Sequence, residues 1–335
     1  MRHTSTTIVG GILVGLLFSI LALPCFADQY LLVNGQSSDN LIKFDLGTGA
    51  SSLYGQYQPG AHPRNLAVDS AGNLYSSLNG GNLNVVKLVP QQGSSVLGTS
   101  NFTANAGGDG PGQIQFYNGD LYVAGDEARV IFQYNGTTGG TPVSQFSSTT
   151  SFNIRAMVIT GNTLYYEEAF QNTARVFNLT NNPPTGTTLF QNSPDLAKAT
   201  NMTIGPQGIL VFANANNTLV QEYSNTTGAF LGTLANVASF DSSLTSVWDV
   251  LYSQNLQNYF VSAGNEVFRL DVNGQLLQTY TSSLINEATG LLIVPEPSTE
   301  VLAVFGFLAL AWRFRYRGRR GAARETRRSG SDRRN

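Results

Sequence analysis

Five stretches of this 335-residue chain repeat one pattern at a spacing of about 45 residues. Each opens with two short apolar or aromatic runs joined by a polar turn: Asn65 to Tyr75, Gln113 to Val123, Ala156 to Tyr165, Asn201 to Val211 and, in degenerate form, Asp249 to Phe260. A third run follows in every copy, at Val85 to Val89, Val130 to Tyr134, Ala174 to Leu179, Leu219 to Tyr223 and Glu266 to Val272. A Gly- or Asn-bearing turn then leads to a fourth, such as Gly228 to Leu234 or Gly274 to Tyr280. Nothing in this region has a helical period, so an all-β fold is expected. Four strands per unit of this length is the signature of a propeller blade. A lone four-stranded sheet cannot bury both faces, whereas radial stacking gives every sheet two neighbours.

The flanking segments complete a sixth unit. Tyr30 to Asn34, Leu41 to Asp45 and Ser51 to Tyr54 read as strands two to four of a blade that lacks its first, and Ala288 to Val294 reads as a lone first strand. Together they predict a six-bladed β-propeller with a composite closing blade, which removes the open edges of an unclosed ring. The pattern resembles six-bladed propellers of the NHL and TolB-like kind across residues 28–294. Seven blades, or a pair of β-sandwiches, are the alternatives.

Both ends predict export. Arg2 precedes an apolar stretch from Ile8 to Leu23, and Ala27 offers a small residue before a cut ahead of Asp28, so residues 1–27 read as a signal peptide with a signal helix. An uncleaved anchor is the other reading. Pro24 before Cys25 disfavours a lipoprotein. At the far end, Pro295-Glu296-Pro297 precedes a short apolar segment over 299–312 and a tail rich in arginine. This arrangement resembles the PEP-CTERM sorting signal, here residues 295–335. The resemblance implies a membrane-anchored precursor with a short membrane helix, and an exosortase that recognises the Pro-Glu-Pro motif and removes the tail. With signal peptidase, it would be a partner during export to the cell surface or medium. It further implies a role in the cell envelope, with carbohydrate or protein ligands.

Setting the two ends aside leaves 8 Lys and Arg against 17 Asp and Glu in residues 28–294, a net charge near −9. That excludes polyanion binding over a broad surface, and no nucleic-acid partner is expected. Cysteine is absent from this part, so neither disulfides nor thiolate chemistry is available. His62 is its only histidine and sits in a turn-like stretch, which leaves no material for a histidine triad.

In a propeller the first strand of each blade lines the central channel, which makes Asn65, Gln113, Arg155, Asn201, Asp249 and Thr289 the candidate rim residues. Asp249 with two asparagines can hold Ca²⁺ through oxygen ligands; a water-filled channel with hydrogen-bonded polar walls is the simpler expectation, with no cofactor. Catalytic residues are not assigned, and the metal ligands are unknown. A lactonase-like, metal-dependent hydrolase is the alternative function. The adjacent acidic pairs, Asp126-Glu127 and Glu167-Glu168, follow second strands and should point to opposite faces, one member packing or facing solvent and the other capping a loop. The Gly-dense run Gly107 to Gly112 lacks a P-loop ending and reads as a loop between blades. Six Asn-x-Thr sequons, Asn201 among them, read as turn and blade-edge positions. Trp248 and tyrosines such as Tyr122, Tyr165 and Tyr166 are candidates for sugar stacking, with burial between blades the expected role of most.

Overall fold

Each repeat forms one antiparallel four-stranded sheet, and six such sheets make up the described part of the chain. A computed structural model describes residues 29–295 except 81–83, 90–93, 105–109, 127, 148–152, 170, 181–185, 192, 194, 195 and 197. The signal peptide at 1–27, Glu296, Pro297, the apolar segment at 299–312, the arginine tail, Glu127 and Gly107 therefore lie outside the described residues. Among those described, no helix is long and apolar enough to cross a membrane. The chain divides into two compact units, Tyr30–Val294 and the two ends, of which the first is treated below.

The first three strands are β1 (Gln29–Gly35), β2 (Asn40–Asp45) and β3 (Ser51–Gln56). The second blade is β4 (Pro63–Val68), β5 (Leu74–Leu78), β6 (Val85–Val89) and β7 (Gly98–Asn101). The third is β8 (Pro111–Tyr117), β9 (Asp120–Gly125), β10 (Val130–Asn135) and β11 (Ser144–Ser147). The fourth is β12 (Ile154–Thr160), β13 (Thr163–Glu168), β14 (Thr173–Asn178) and β15 (Gly186–Phe190). The fifth is β16 (Ala199–Ile204), β17 (Leu210–Asn214), β18 (Leu219–Tyr223) and β19 (Phe230–Asn236). The sixth is β20 (Asp249–Ser253), β21 (Asn258–Ala263), β22 (Glu266–Leu270) and β23 (Leu276–Thr281). The last strand, β24 (Ala288–Pro295), returns to lie beside β1 and supplies the missing inner strand of the first blade. The expected composite blade is therefore present, and six is the blade count.

Burial explains why the blades stack. Every residue of β5, β17 and β21 is buried, with no alternation, because both faces of a second strand meet a neighbouring blade. The apolar core is correspondingly not one body but six wedges, one per blade interface. Leu32, Leu41, Leu66 and Val86 join the first and second blades, and Tyr122, Ile131, Met157 and Tyr166 join the third and fourth. Closure has a wedge of the same kind, in which Val33, Phe44, Phe260, Tyr280 and Leu291 pack together. Outer strands alternate or are exposed, as in β7 and β23, because only the ring's rim covers them.

Candidate functional site

The inner strands all begin at the same end of the channel, and four of them carry an extra residue there. Register with the second strand shifts between Pro63 and Leu66, Pro111 and Ile114, Ile154 and Met157, and Ala199 and Asn201. A bulge bends its strand and re-aims the side chains within it. The residues so displaced include Arg64, Asn65, Gln113, Arg155 and Thr200. With Gln36, Gly112, Asn201, Trp248, Asp249 and Thr289 they line one cavity of about 40 Å³. The structure thus brings together Asn65, Gln113, Arg155, Asn201, Asp249 and Thr289, each contributed by a different blade. Two glycines permit the convergence. A Cβ on Gly112 would lie 2.6 Å from the Arg155 carbonyl oxygen, and one on Gly290 would lie 2.5 Å from that of Arg64.

Most of the ring residues bond the next blade. Ile114 N–H donates to Asn65 Oδ1 (3.2 Å), and Leu291 N–H donates to Asp249 Oδ2 (2.7 Å). Gln113 bridges three blades: its Oε1 accepts from Met157 N (2.9 Å) and Met202 N (3.1 Å), while its Nε2 donates to Met202 O (2.8 Å). Thr289 Oγ1 donates to Pro63 O at 3.0 Å. Inner strands of adjacent blades diverge too far for a sheet ladder, so these side chains satisfy backbone groups that would otherwise lack partners. Asn201 differs from the rest: its Oδ1 is buried in the channel wall with no hydrogen-bond partner among the described residues. Its sequon therefore marks an inner strand and not the turn or edge position expected.

Charge is concentrated just outside the ring. Asp126, 2 % exposed, accepts from Arg64 Nη1 (3.0 Å), Arg155 Nε (2.8 Å) and Asn153 Nδ2 (3.0 Å). Lys198 lies within electrostatic reach of Arg155, Asp126, Arg64 and Glu167; burial is the main cause lowering its pKa, and the arginines add to it. Burial also raises Glu167 well above the usual carboxyl range, and Asp126 and Glu168 push the same way; the Arg155 charge and the Ala199 N–H oppose, the latter outside ordinary hydrogen-bond geometry. Asp249 is pushed up to about 8 by burial, against the favourable Leu291 and Val250 N–H groups. The mouth thus gathers three basic side chains, Arg64, Arg155 and Lys198, around Asp126, with the half-buried Glu287 also within electrostatic reach of Arg64. These basic groups meet in a domain whose sequence is strongly negative.

The pair Glu167-Glu168 meets the expectation in part; Glu127 of the other pair lies outside the described residues. Glu167 and Glu168 do point to opposite faces, but both are buried, because each face of β13 is covered by a blade. Glu168 forms an ion pair with Arg175 at 2.8 Å, and Glu167 packs toward the mouth. Neither faces solvent or caps a loop. Asp126 and Lys198 were not legible as site residues: they come from the loops after β9 and before β16, in different blades. The one carboxylate of the ring, Asp249, is engaged by Leu291 and raised in pKa, which makes it a weak ligand for a hard cation. Among the described residues, no three His, Cys, Asp or Glu side chains come together as a metal-binding group. His62 stands exposed in the turn between β3 and β4 at φ 47°, as a loop residue. Tyr122, Tyr165 and Tyr166 are buried between blades, whereas Trp248 is half-buried at the mouth.

No protein-family model matches this chain. No curated protein matches it either. Solved structures do. A chain in the crystal structure of a nidogen–laminin complex is 13% identical, with a TM-score of 0.62, over 79% of this chain and 98% of that one. A protein of unknown function from Bacteroides caccae is 12% identical, with a TM-score of 0.61, over 81% of this chain and 100% of the other. The streptogramin B lyase structure is 16% identical, with a TM-score of 0.55, over 80% and 88%. At these identities the likeness extends to the six-bladed fold alone, and a fold that carries a lyase and a chain of a nidogen–laminin complex does not choose a function.

Proposed function

We propose that this chain is an exported envelope protein whose propeller is a non-catalytic binding module, with the channel mouth as its binding site. The observation that carries this reading is the state of the mouth's polar groups. Both hydroxyls there donate to backbone carbonyls, Thr200 to Trp248 O (2.8 Å) and Thr289 to Pro63 O (3.0 Å), so neither is set against a general base. Asp126 is held by two arginines, and Gln113, Asn65 and Asp249 bond neighbouring blades. Such a mouth is rigid and preformed, which suits recognition. Signal peptidase removes residues 1–27 in this reading, and an exosortase acts at Pro295, Glu296 and Pro297. Carbohydrate or protein is the ligand class, and the mature protein is placed at the cell surface or outside the cell.

Mass spectrometry of the protein from its host tests the sorting half. A C-terminus between residues 295 and 299 supports it, and an intact arginine tail overturns it. The alternative, metal-dependent hydrolysis, requires Asp126, Glu167 and Asp249 to be ionised and released from their present partners. Lactone hydrolysis assayed with and without added Ca²⁺ separates the two: turnover that depends on the ion and is lost in Asp249→Asn would replace the binding reading.

A further inference from the structure

The mouth combines two features that jointly specify a ligand. The first is its charge. Arg64 and Arg155, with side chains 23% and 18% exposed, converge from opposite sides on the single carboxylate of Asp126, and Lys198 lies within reach of both. Three basic side chains thus meet at one end of an acidic domain, so a small anion finds guanidinium donors there while the surrounding surface repels large polyanions. The second is Asn201. Its carboxamide lines the same cavity, is 4% exposed, and leaves Oδ1 with no partner among the described residues. A buried acceptor without a donor is costly, and native proteins keep few of them. A hydroxyl satisfies Asn201 whichever way the amide is turned, because it both donates and accepts.

We infer that the channel mouth binds a hydroxylated carboxylate of the sugar-acid class, with the carboxylate against the cavity-lining sides of Arg64 and Arg155, away from Asp126, and a hydroxyl on Asn201. The size of the cavity agrees: about 40 Å³ admits one small group and not a whole ring. The remainder of the ligand then lies outside, against the half-buried Trp248, whose indole offers an apolar face to sugar C–H groups. A planar carboxylate suits guanidinium groups better than a neutral sugar does. This inference rests on the mouth being a binding site, and it names what that site selects.

Trp248 and Trp312 are the only tryptophans of the chain, so a full-length protein carrying Trp312→Phe reports on the mouth by its own fluorescence. Three probes isolate the two groups: glucuronate carries both, glucose lacks the carboxylate, and cyclohexanecarboxylate lacks the hydroxyls. Glucuronate is expected to give a saturable change, with glucose and cyclohexanecarboxylate each weaker by about tenfold or more. Arg155→Gln and Asn201→Ala should each weaken glucuronate by a similar factor. Asn201→Ala leaves the Asp126 ion pairs intact and so separates lost binding from lost folding, which circular dichroism checks in both variants. Glucose binding as tightly as glucuronate would overturn the anion assignment while leaving the mouth a binding site. Cyclohexanecarboxylate binding as tightly, unaffected by Asn201→Ala, would overturn the role of Asn201. No response to any probe would overturn the ligand class, and the binding module itself would still be open to test with neutral glycans and protein ligands on the same reporter.

Discussion

Asp249 Oδ2 accepts the Leu291 N–H at 2.7 Å across 42 residues of sequence, and this bond joins the sixth blade to the closing strand. The carboxyl is buried, and its pKa of about 8 lies above that of an unfolded aspartate. The folded state therefore binds the proton more tightly, and the contribution of this group to stability falls as pH rises from about 4 to about 8. Below that window both states are protonated and nothing is lost. Other carboxyls titrate with either sign, so the informative quantity is a difference. Asp249→Asn should melt close to the parent at pH 4 and progressively above it toward pH 8, with a plateau beyond. Thermal melts across that range check this; a difference independent of pH would sink it.

Gln113 satisfies three backbone groups on two other blades. Gln113→Ala leaves two amide donors and one carbonyl facing an enlarged channel, and should cost about 2–4 kcal/mol in urea unfolding. A loss below about 0.5 kcal/mol would mean that channel water replaces the side chain at no penalty.

Asp126 compensates two guanidinium groups that are mostly removed from solvent. Removing one member of such a network is worse than never having built it. Asp126→Ala is expected to destabilise by about 2–4 kcal/mol, with the loss lessened in the Arg64→Met background. The double variant should therefore show coupling of at least about 1 kcal/mol in a mutant cycle.

Closure depends on β24. A chain ended at Glu287 keeps β1, β2 and β3 but loses the inner strand beside them, with Leu291 and its wedge against Phe44 and Phe260. Its melting temperature should drop by more than about 10 °C, or cooperativity should disappear. Gly290→Val is the milder form of the same test, since its side chain would meet the backbone of Arg64 and Asn65. An unchanged melt in both would show that the ring does not need its latch.

The strands were legible because turn residues punctuate them at a constant spacing, and the lone segment Ala288 to Val294 announced closure by having no partner nearby in sequence. The rim was legible for the same reason: Asn65, Gln113, Asn201 and Asp249 occupy one position of the repeat. The charged cluster was not. Asp126 and Lys198 belong to loops of different blades, and a period says nothing about which loops meet. Glu167 and Glu168 misled for a physical reason. Alternation distinguishes inside from outside only where one face is wet, and a second strand in a propeller has no wet face. Nor does any sequence signal mark the bulges that turn Arg64 and Arg155 toward the channel.

The composite blade also sets an orientation. Gln36 N–H bonds Glu287 O at 2.9 Å, so the end of β1 lies beside the start of β24, at the level of the mouth. From there β24 runs the full depth of the ring past Leu291 and Leu292, which line the deeper channel, while β1 arrives from the same far side. Tyr30 and Val294 thus lie close together at the face of the propeller opposite the mouth, so both closing strands leave the mouth clear for a ligand.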